Sequence, residues 1–166
     1  MNPRSIFTFS AITVLGLTLA PSSILAQQNS LKQQLVGTWT LVSYDATPPN
    51  GAKGQPFGAN PKGVLFVEAS GRYAELLGPS DRPKYKNPLQ PTAEERAAAP
   101  FFANFGTWSV SETDKTFTWQ VEGAANPNND VAELKHSVGL AGDDLKLSRV
   151  NPLSGGKQDF VYRRAK

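Results

Sequence analysis

Val64-Leu65-Phe66-Val67-Glu68-Ala69, Ser70-Gly71, Arg72-Tyr73-Ala74-Glu75-Leu76-Leu77 is the stretch from which the rest is read. Two apolar runs of strand length joined by Ser-Gly predict a tight β-hairpin, because glycine supplies the backbone geometry such a turn needs. The rhythm continues in both directions. Upstream, Val36 to Tyr44 reads as a strand with Trp39 and Leu41 on one face and Val42 and Tyr44 on the other. Downstream, Phe105 to Val110 and Thr116 to Glu122 flank the turn 111–115, with Phe117, Trp119 and Val121 sharing a face. Val131 to Leu140 and Leu145 to Val150 flank Ala141-Gly142-Asp143-Asp144, and Gln158 to Arg164 is the eighth strand.

One segment leaves this rhythm. Thr92-Ala93-Glu94-Glu95 has the spacing of a capping box, and Arg96-Ala97-Ala98-Ala99 continues with good helix formers before Pro100. A single short helix is therefore expected between strands three and four.

The connections alternate in length. Asp45 to Lys62, Gly78 to Asn104, Gly123 to Asp130 and Asn151 to Lys157 are long, and the three between them are short. In an up-and-down antiparallel meander, successive connections lie at opposite ends, so the long ones gather at one rim. Eight such strands suit closure into a barrel, which removes exposed edges and leaves an interior for side chains or one small ligand. The expected architecture is all-β: an eight-stranded antiparallel up-and-down β-barrel, shaped as a cup.

Composition narrows the function. The chain of 166 residues carries 17 Lys+Arg against 14 Asp+Glu, a net charge of +3, with one His and no Cys. That length suits one domain. The small charge excess disfavours nucleic-acid binding. Lack of cysteine excludes disulfide scaffolds, zinc–thiolate sites and thiol catalysis, and one His excludes a two-imidazole site. Arg4 followed by the uncharged run Ile6 to Ala20, then Pro21-Ser22-Ser23 and Ile24-Leu25-Ala26, has the pattern of a secretory leader cleaved after Ala26. Residues 1–26 are expected to be a signal peptide and 27–166 the barrel domain, secreted or periplasmic, with no membrane span after cleavage.

Leu35-Val36-Gly37-Thr38-Trp39 opens the first strand, and its Gly-x-Trp resembles the lipocalin signature. Asn60-Pro61-Lys62-Gly63, Ser70-Gly71-Arg72-Tyr73, Asp81-Arg82-Pro83, Phe105-Gly106-Thr107-Trp108, Asn126-Pro127 and Gly142-Asp143-Asp144-Leu145-Lys146-Leu147 extend the likeness. In order, they resemble the bacterial and fungal lipocalin-like domain proteins, a calycin-type barrel family. The resemblance implies that Trp39 plugs the closed end. It also implies that a basic residue near the chain end, Arg163 or Arg164, covers it by cation–π contact; Gly37, Trp39 and Arg163 are assigned to this plug. Gly106-Thr107-Trp108 repeats Gly37-Thr38-Trp39, which would suit two similar half-barrels.

The aromatic stock and its neighbours nominate Leu41, Phe66, Tyr73, Trp108, Phe117, Trp119, His136 and Tyr162 as ligand contacts. His136 shares a face with Leu134 and Val138. Glu68, Glu75 and Glu122 are strand carboxylates for which surface exposure is the expected state. Arg82-Pro83-Lys84-Tyr85-Lys86 forms a basic stretch on the rim. Gly155-Gly156-Lys157 lacks the Ser or Thr of a phosphate loop, and Asn126 to Asp130 is too poor in carboxylates for calcium. No metal, cofactor or catalytic residue is assigned. The expected function is binding of a small hydrophobic or amphipathic molecule in the cup. The alternatives are an isomerase- or cyclase-type enzyme using Tyr73, His136 or a buried Glu, and a structural or partner-binding barrel.

Overall fold

The computed structural model describes residues 30–130 and 132–166. The expected leader, residues 1–26, and Val131, the expected start of the sixth strand, lie outside the described residues. The strands are β1 (Gly37–Thr47), β2 (Lys62–Val67), β3 (Arg72–Gly78), β4 (Phe102–Ser111), β5 (Thr116–Ala124), β6 (Glu133–Ala141), β7 (Asp144–Val150) and β8 (Lys157–Arg164). Each pairs antiparallel with its neighbour in sequence, and β8 returns to β1, closing the barrel in the order expected. Connections 48–61, 79–101, 125–132 and 151–156 therefore share one end, and 68–71, 112–115 and 142–143 the other. In the β2–β3 turn Gly71 holds φ 89°, a conformation that an L side chain resists.

Period-two alternation sorts the side chains. Trp39, Leu65, Val67, Tyr73, Leu77, Phe117, Trp119, Leu145, Leu147, Phe160 and Tyr162 are all buried inside the barrel. A β-bulge interrupts β1: Leu41 opposes Tyr162 and Ser43 opposes Val161, so Val42 has no partner across the ladder. Such an extra residue resets the alternation. Tyr44 therefore joins Trp39 and Leu41 inside, while Val42 turns out, which corrects the expectation that Tyr44 opposes them. A second irregularity lies between Phe105 and Gly106 of β4. There a Cβ on Gly106 would stand 1.9 Å from the Gln120 carbonyl oxygen, so only glycine fits.

Two short α-helices flank the barrel. The expected one, α2 (Ala93–Ala98), starts with the Thr92–Glu95 capping box and buries none of its residues, so it lies on the rim outside the core. The other, α1 (Leu31–Leu35), was not expected. Ser30 and Gln33 form its capping box, and Leu31 and Leu35, four residues apart on one face, are buried. The Glu112 carboxylate, from the β4–β5 turn, accepts from the Leu31 and Lys32 N–H groups at 3.0 Å each, satisfying donors that a helix start leaves free. Thus α1 is tied across the end that carries the short turns. Among the described residues no helix is long and apolar enough to cross a membrane.

Trp39 and Trp108 both lie toward this end, but the repeated Gly-Thr-Trp does not mark a half-barrel repeat. In this meander β1 and β4 run in opposite directions, whereas a four-strand repeat would match β1 to β5.

Candidate functional site

The short-turn end is sealed. Trp39 is fully buried, its indole N–H donates to the Leu35 carbonyl at 2.8 Å, and the Arg164 guanidinium lies 4.1 Å from its ring centroid. Arg164 also donates to the carbonyls of Val36 at 3.1 Å and Gln34 at 2.6 Å. Gly37 makes room for it: φ is 141°, and a Cβ would stand 2.7 Å from the Arg164 Nη1. Arg163, the residue assigned to the plug, points outward and pairs with Asp144 at 2.8 Å. Alternation from the inward Tyr162 places Arg164, not Arg163, inside.

Above the plug, rings fill the barrel. Trp108 and Phe117 lie 5.5 Å apart, Phe117 and Trp119 5.5 Å, Tyr73 and Trp119 4.5 Å, and Trp119 and His136 4.3 Å between ring centroids. Trp108 also donates to the Glu68 carbonyl at 2.9 Å, in the β2–β3 turn. Among the described residues, the Trp119 indole N–H is the only buried side-chain polar group without a hydrogen-bond partner.

Toward the long-loop rim the interior becomes polar. Glu75, only 1 % exposed, points inward from β3 between Tyr73 and Leu77. Its two oxygens accept from the Tyr162 hydroxyl at 2.5 Å and the Asn104 amide at 3.0 Å, and Asn104 in turn accepts from the Tyr73 hydroxyl at 2.8 Å. From β7, Arg149 donates to the Gln158 side-chain oxygen at 2.8 Å, and its Nη1 lies 3.2 Å from His136 Nε2. It also lies over the Phe160 ring, 5.1 Å from the centroid. Gln158 donates to the Tyr44 hydroxyl at 2.7 Å.

His136 Nδ1 lies 3.1 Å from the Phe117 carbonyl oxygen, to which its N–H donates; Nε2 is then the acceptor for Arg149. Burial, reinforced by the Arg149 charge, lowers the His136 pKa to about 3, so the ring is neutral near neutral pH. Burial also raises the Tyr162 and Tyr73 phenols above their usual value, and the nearby Glu75 charge adds to it. Both stay protonated and serve as donors.

These polar walls bound a cavity of about 110 Å³ that opens at the rim. Glu75, Asn104, Arg149 and Gln158 supply its polar lining, and Leu77, Val121, Leu134 and Phe102 its apolar lining, with Asn126, Asn129 and Asn151 at the mouth. The β1–β2 loop folds inward beside it: Phe57 is buried, 5.0 Å from the Tyr44 ring and 5.3 Å from that of Phe102. Arg82, from the basic stretch, donates to the Ala99 carbonyl at 2.9 Å and covers Phe101 at 4.8 Å, holding the rim loop together.

None of the residues nominated as ligand contacts lines this cavity. Leu41, Tyr73, Trp108, Phe117, Trp119, His136 and Tyr162 are inward but packed against one another. Tyr162 and His136 reach the chamber through the groups they position, Glu75 and Arg149. Phe66 is on the outer surface, 41 % exposed, because its neighbours Leu65 and Val67 occupy the interior. The sequence points Glu75 to the surface and singles out neither Arg149 nor Gln158, yet all three line the cavity. The available signal was parity: Arg149 follows the inward Leu145 and Leu147 at spacing two, and Gln158 precedes Phe160 and Tyr162 at the same spacing.

Residues 36–163 match the model of the lipocalin-like domain family. No curated protein matches the chain. Among solved structures, the barrel is similar to a de novo designed fluorescence-activating β-barrel, with TM-score 0.45 and 11% identity over 82% of this chain and 99% of that one. It is also similar to a variant of the fluorescent protein UnaG, with TM-score 0.37 and 11% identity over 80% of this chain and 97% of that one.

Proposed function

The chain belongs to the lipocalin-like domain family, and from that premise we propose that it binds a small amphipathic molecule in the chamber at its open rim. The observation that carries this reading is a pair of inward charged side chains, Glu75 and Arg149, lining one cavity that reaches the surface. Each is held in place by neighbours that do not themselves line it, Tyr162 and His136. A cavity lined by apolar side chains with a few convergent polar groups is the usual form of a small-molecule site. Leu77, Val121 and Leu134 face the apolar part of the ligand, and Glu75 and Arg149 face its polar groups. The mostly hydrophobic ligand anticipated from the aromatic content is thereby narrowed to one with a polar head. The reading includes export: residues 1–26 direct the chain out of the cytoplasm and are removed after Ala26.

Native mass spectrometry of the full chain, expressed with its leader and recovered outside the cytoplasm, tests both parts. The expected result is a polypeptide beginning at Gln27 that carries one non-covalent small molecule lost on denaturation. A bare polypeptide after gentle isolation overturns binding, and an uncleaved product retained in the cytoplasm overturns export.

Acid–base catalysis on the bound molecule is a second reading, favoured by the carboxylate of Glu75 facing the cavity beside the Tyr162 phenol. It predicts a ligand that is chemically altered on release, and that Glu75→Gln stops the change without stopping binding.

A further inference from the structure

Taking the binding function proposed above, we infer that the chamber selects a small zwitterion, its cationic group held by Glu75 and its anionic group by Arg149. Glu75 lies on β3 and Arg149 on β7. In a closed barrel of eight strands in sequential order these two are four strands apart in either direction, so they stand on opposite walls. Both line the same cavity.

Neither has an ion-pair partner among the described residues, although pairs do form elsewhere: Arg72–Glu122, Arg163–Asp144, Lys157–Asp159 and Lys53–Asp45. Those four join residues on the barrel wall or loops, where an ion pair contributes little. Inside, where an unpaired charge gives up hydration that nothing replaces, the two opposite charges stay apart.

Their hydrogen-bond partners are all neutral. Tyr162 and Asn104 serve Glu75, and Gln158 and His136 serve Arg149. A carboxylate that accepts two hydrogen bonds keeps acceptor capacity on both oxygens, and a guanidinium has about five N–H donors, more than these two contacts use. Neutral His136 orients the guanidinium without adding a second cation. A bound molecule carrying both signs would compensate both walls. A simple anion would satisfy Arg149 but face the Glu75 carboxylate, and a simple cation would face Arg149; each mismatch is a repulsion that builds selectivity. A cavity of about 110 Å³ lies below the roughly 300–1,000 Å³ of pockets for drug-sized ligands, so it suits a small molecule such as a short amino acid.

Calorimetric titration of the full chain at low ionic strength with glycine, β-alanine and 4-aminobutanoate tests the inference. Each is compared with its carboxylate-only and ammonium-only counterparts: acetate, propanoate and butanoate, and methyl-, ethyl- and propylammonium. The expected result is that one amino acid binds at least tenfold more tightly than both counterparts. Glu75→Gln and Arg149→Met should each abolish that preference, and Arg149→Lys should restore part of it. A counterpart binding as tightly as the amino acid overturns the inference, and so does a series in which nothing binds. The comparison on the unmodified protein stands even where a variant misfolds. A chain that retains a different small molecule in native mass spectrometry but fails here keeps the binding function and loses the zwitterion. A chain that retains nothing and binds none of the series loses both.

Discussion

Arg164 and Arg149 both turn into the barrel, one at each end, and they are used differently. Arg164 lies 4.1 Å from the Trp39 ring and donates to the Val36 and Gln34 carbonyls, so it ties α1 and the start of β1 to β8. Its partners are backbone groups that are themselves part of the seal. Arg149 is held by two neutral side chains and borders a cavity. A cation that completes a seal serves the fold. One that is oriented and still faces open space is available to something else. The closed end therefore reads as structure and the open end as site.

That contrast is open to experiment. The largest effect belongs to the seal: Trp39→Ala should cost about 3–5 kcal/mol in urea titration, the usual range for emptying an aromatic core position. A cost below about 1 kcal/mol would mean that Trp39 does not close the barrel. Next comes acid sensitivity at the chamber. Unfolded His136 takes up a proton below its ordinary pKa of 6.5, whereas the buried ring resists until about 3. The unfolded state then binds more protons in that window, so this contribution is complete above pH 6.5 and is lost as pH falls toward 3. At pH 5 the loss from His136 alone is about 2 kcal/mol, at 1.36 kcal/mol per unit. Denaturant titrations at pH 7 and 5 should show it in the native chain and not in His136→Gln. An equal drop in both would place the acid-sensitive group elsewhere.

The two arginines supply the direct comparison. Arg164→Met removes two hydrogen bonds to backbone carbonyls and a cation–π contact, and should cost about 1–2 kcal/mol. Arg149→Met should change stability by less than about 1 kcal/mol, because removing a partly buried charge offsets the two hydrogen bonds lost. Equal costs in parallel melts would erase the distinction between seal and site.

Much of the fold was legible. Eight runs with turn residues between them and long and short connections in alternation were enough to anticipate the sequential closed barrel, since turn chemistry and period two are local properties. The Thr92–Glu95 capping box placed α2 for the same reason. Helix α1 left a fainter trace, one capping box and two leucines over five residues, and what holds it in place is Glu112, about 80 positions away in the chain. The chamber was barely legible. In β2 three successive apolar residues, Leu65, Phe66 and Val67, satisfy either face, so Phe66 was placed inside. In β3 Ala74 and Leu76 make the outer face as apolar as the inner, so the pattern does not overrule the expectation of a surface carboxylate at Glu75 although it shares parity with Tyr73 and Leu77.

The amino-acid order thus settled the number, direction and succession of the strands, because those depend on neighbours a few residues apart. Which face turned inward, which arginine met Trp39, and that Glu75 and Arg149 stand across one cavity emerged only when β8 paired with β1. Alternation says that two residues lie on the same side of a strand. Only closure says which side is the inside, and a single bulge at Val42 is enough to move Tyr44 from one to the other.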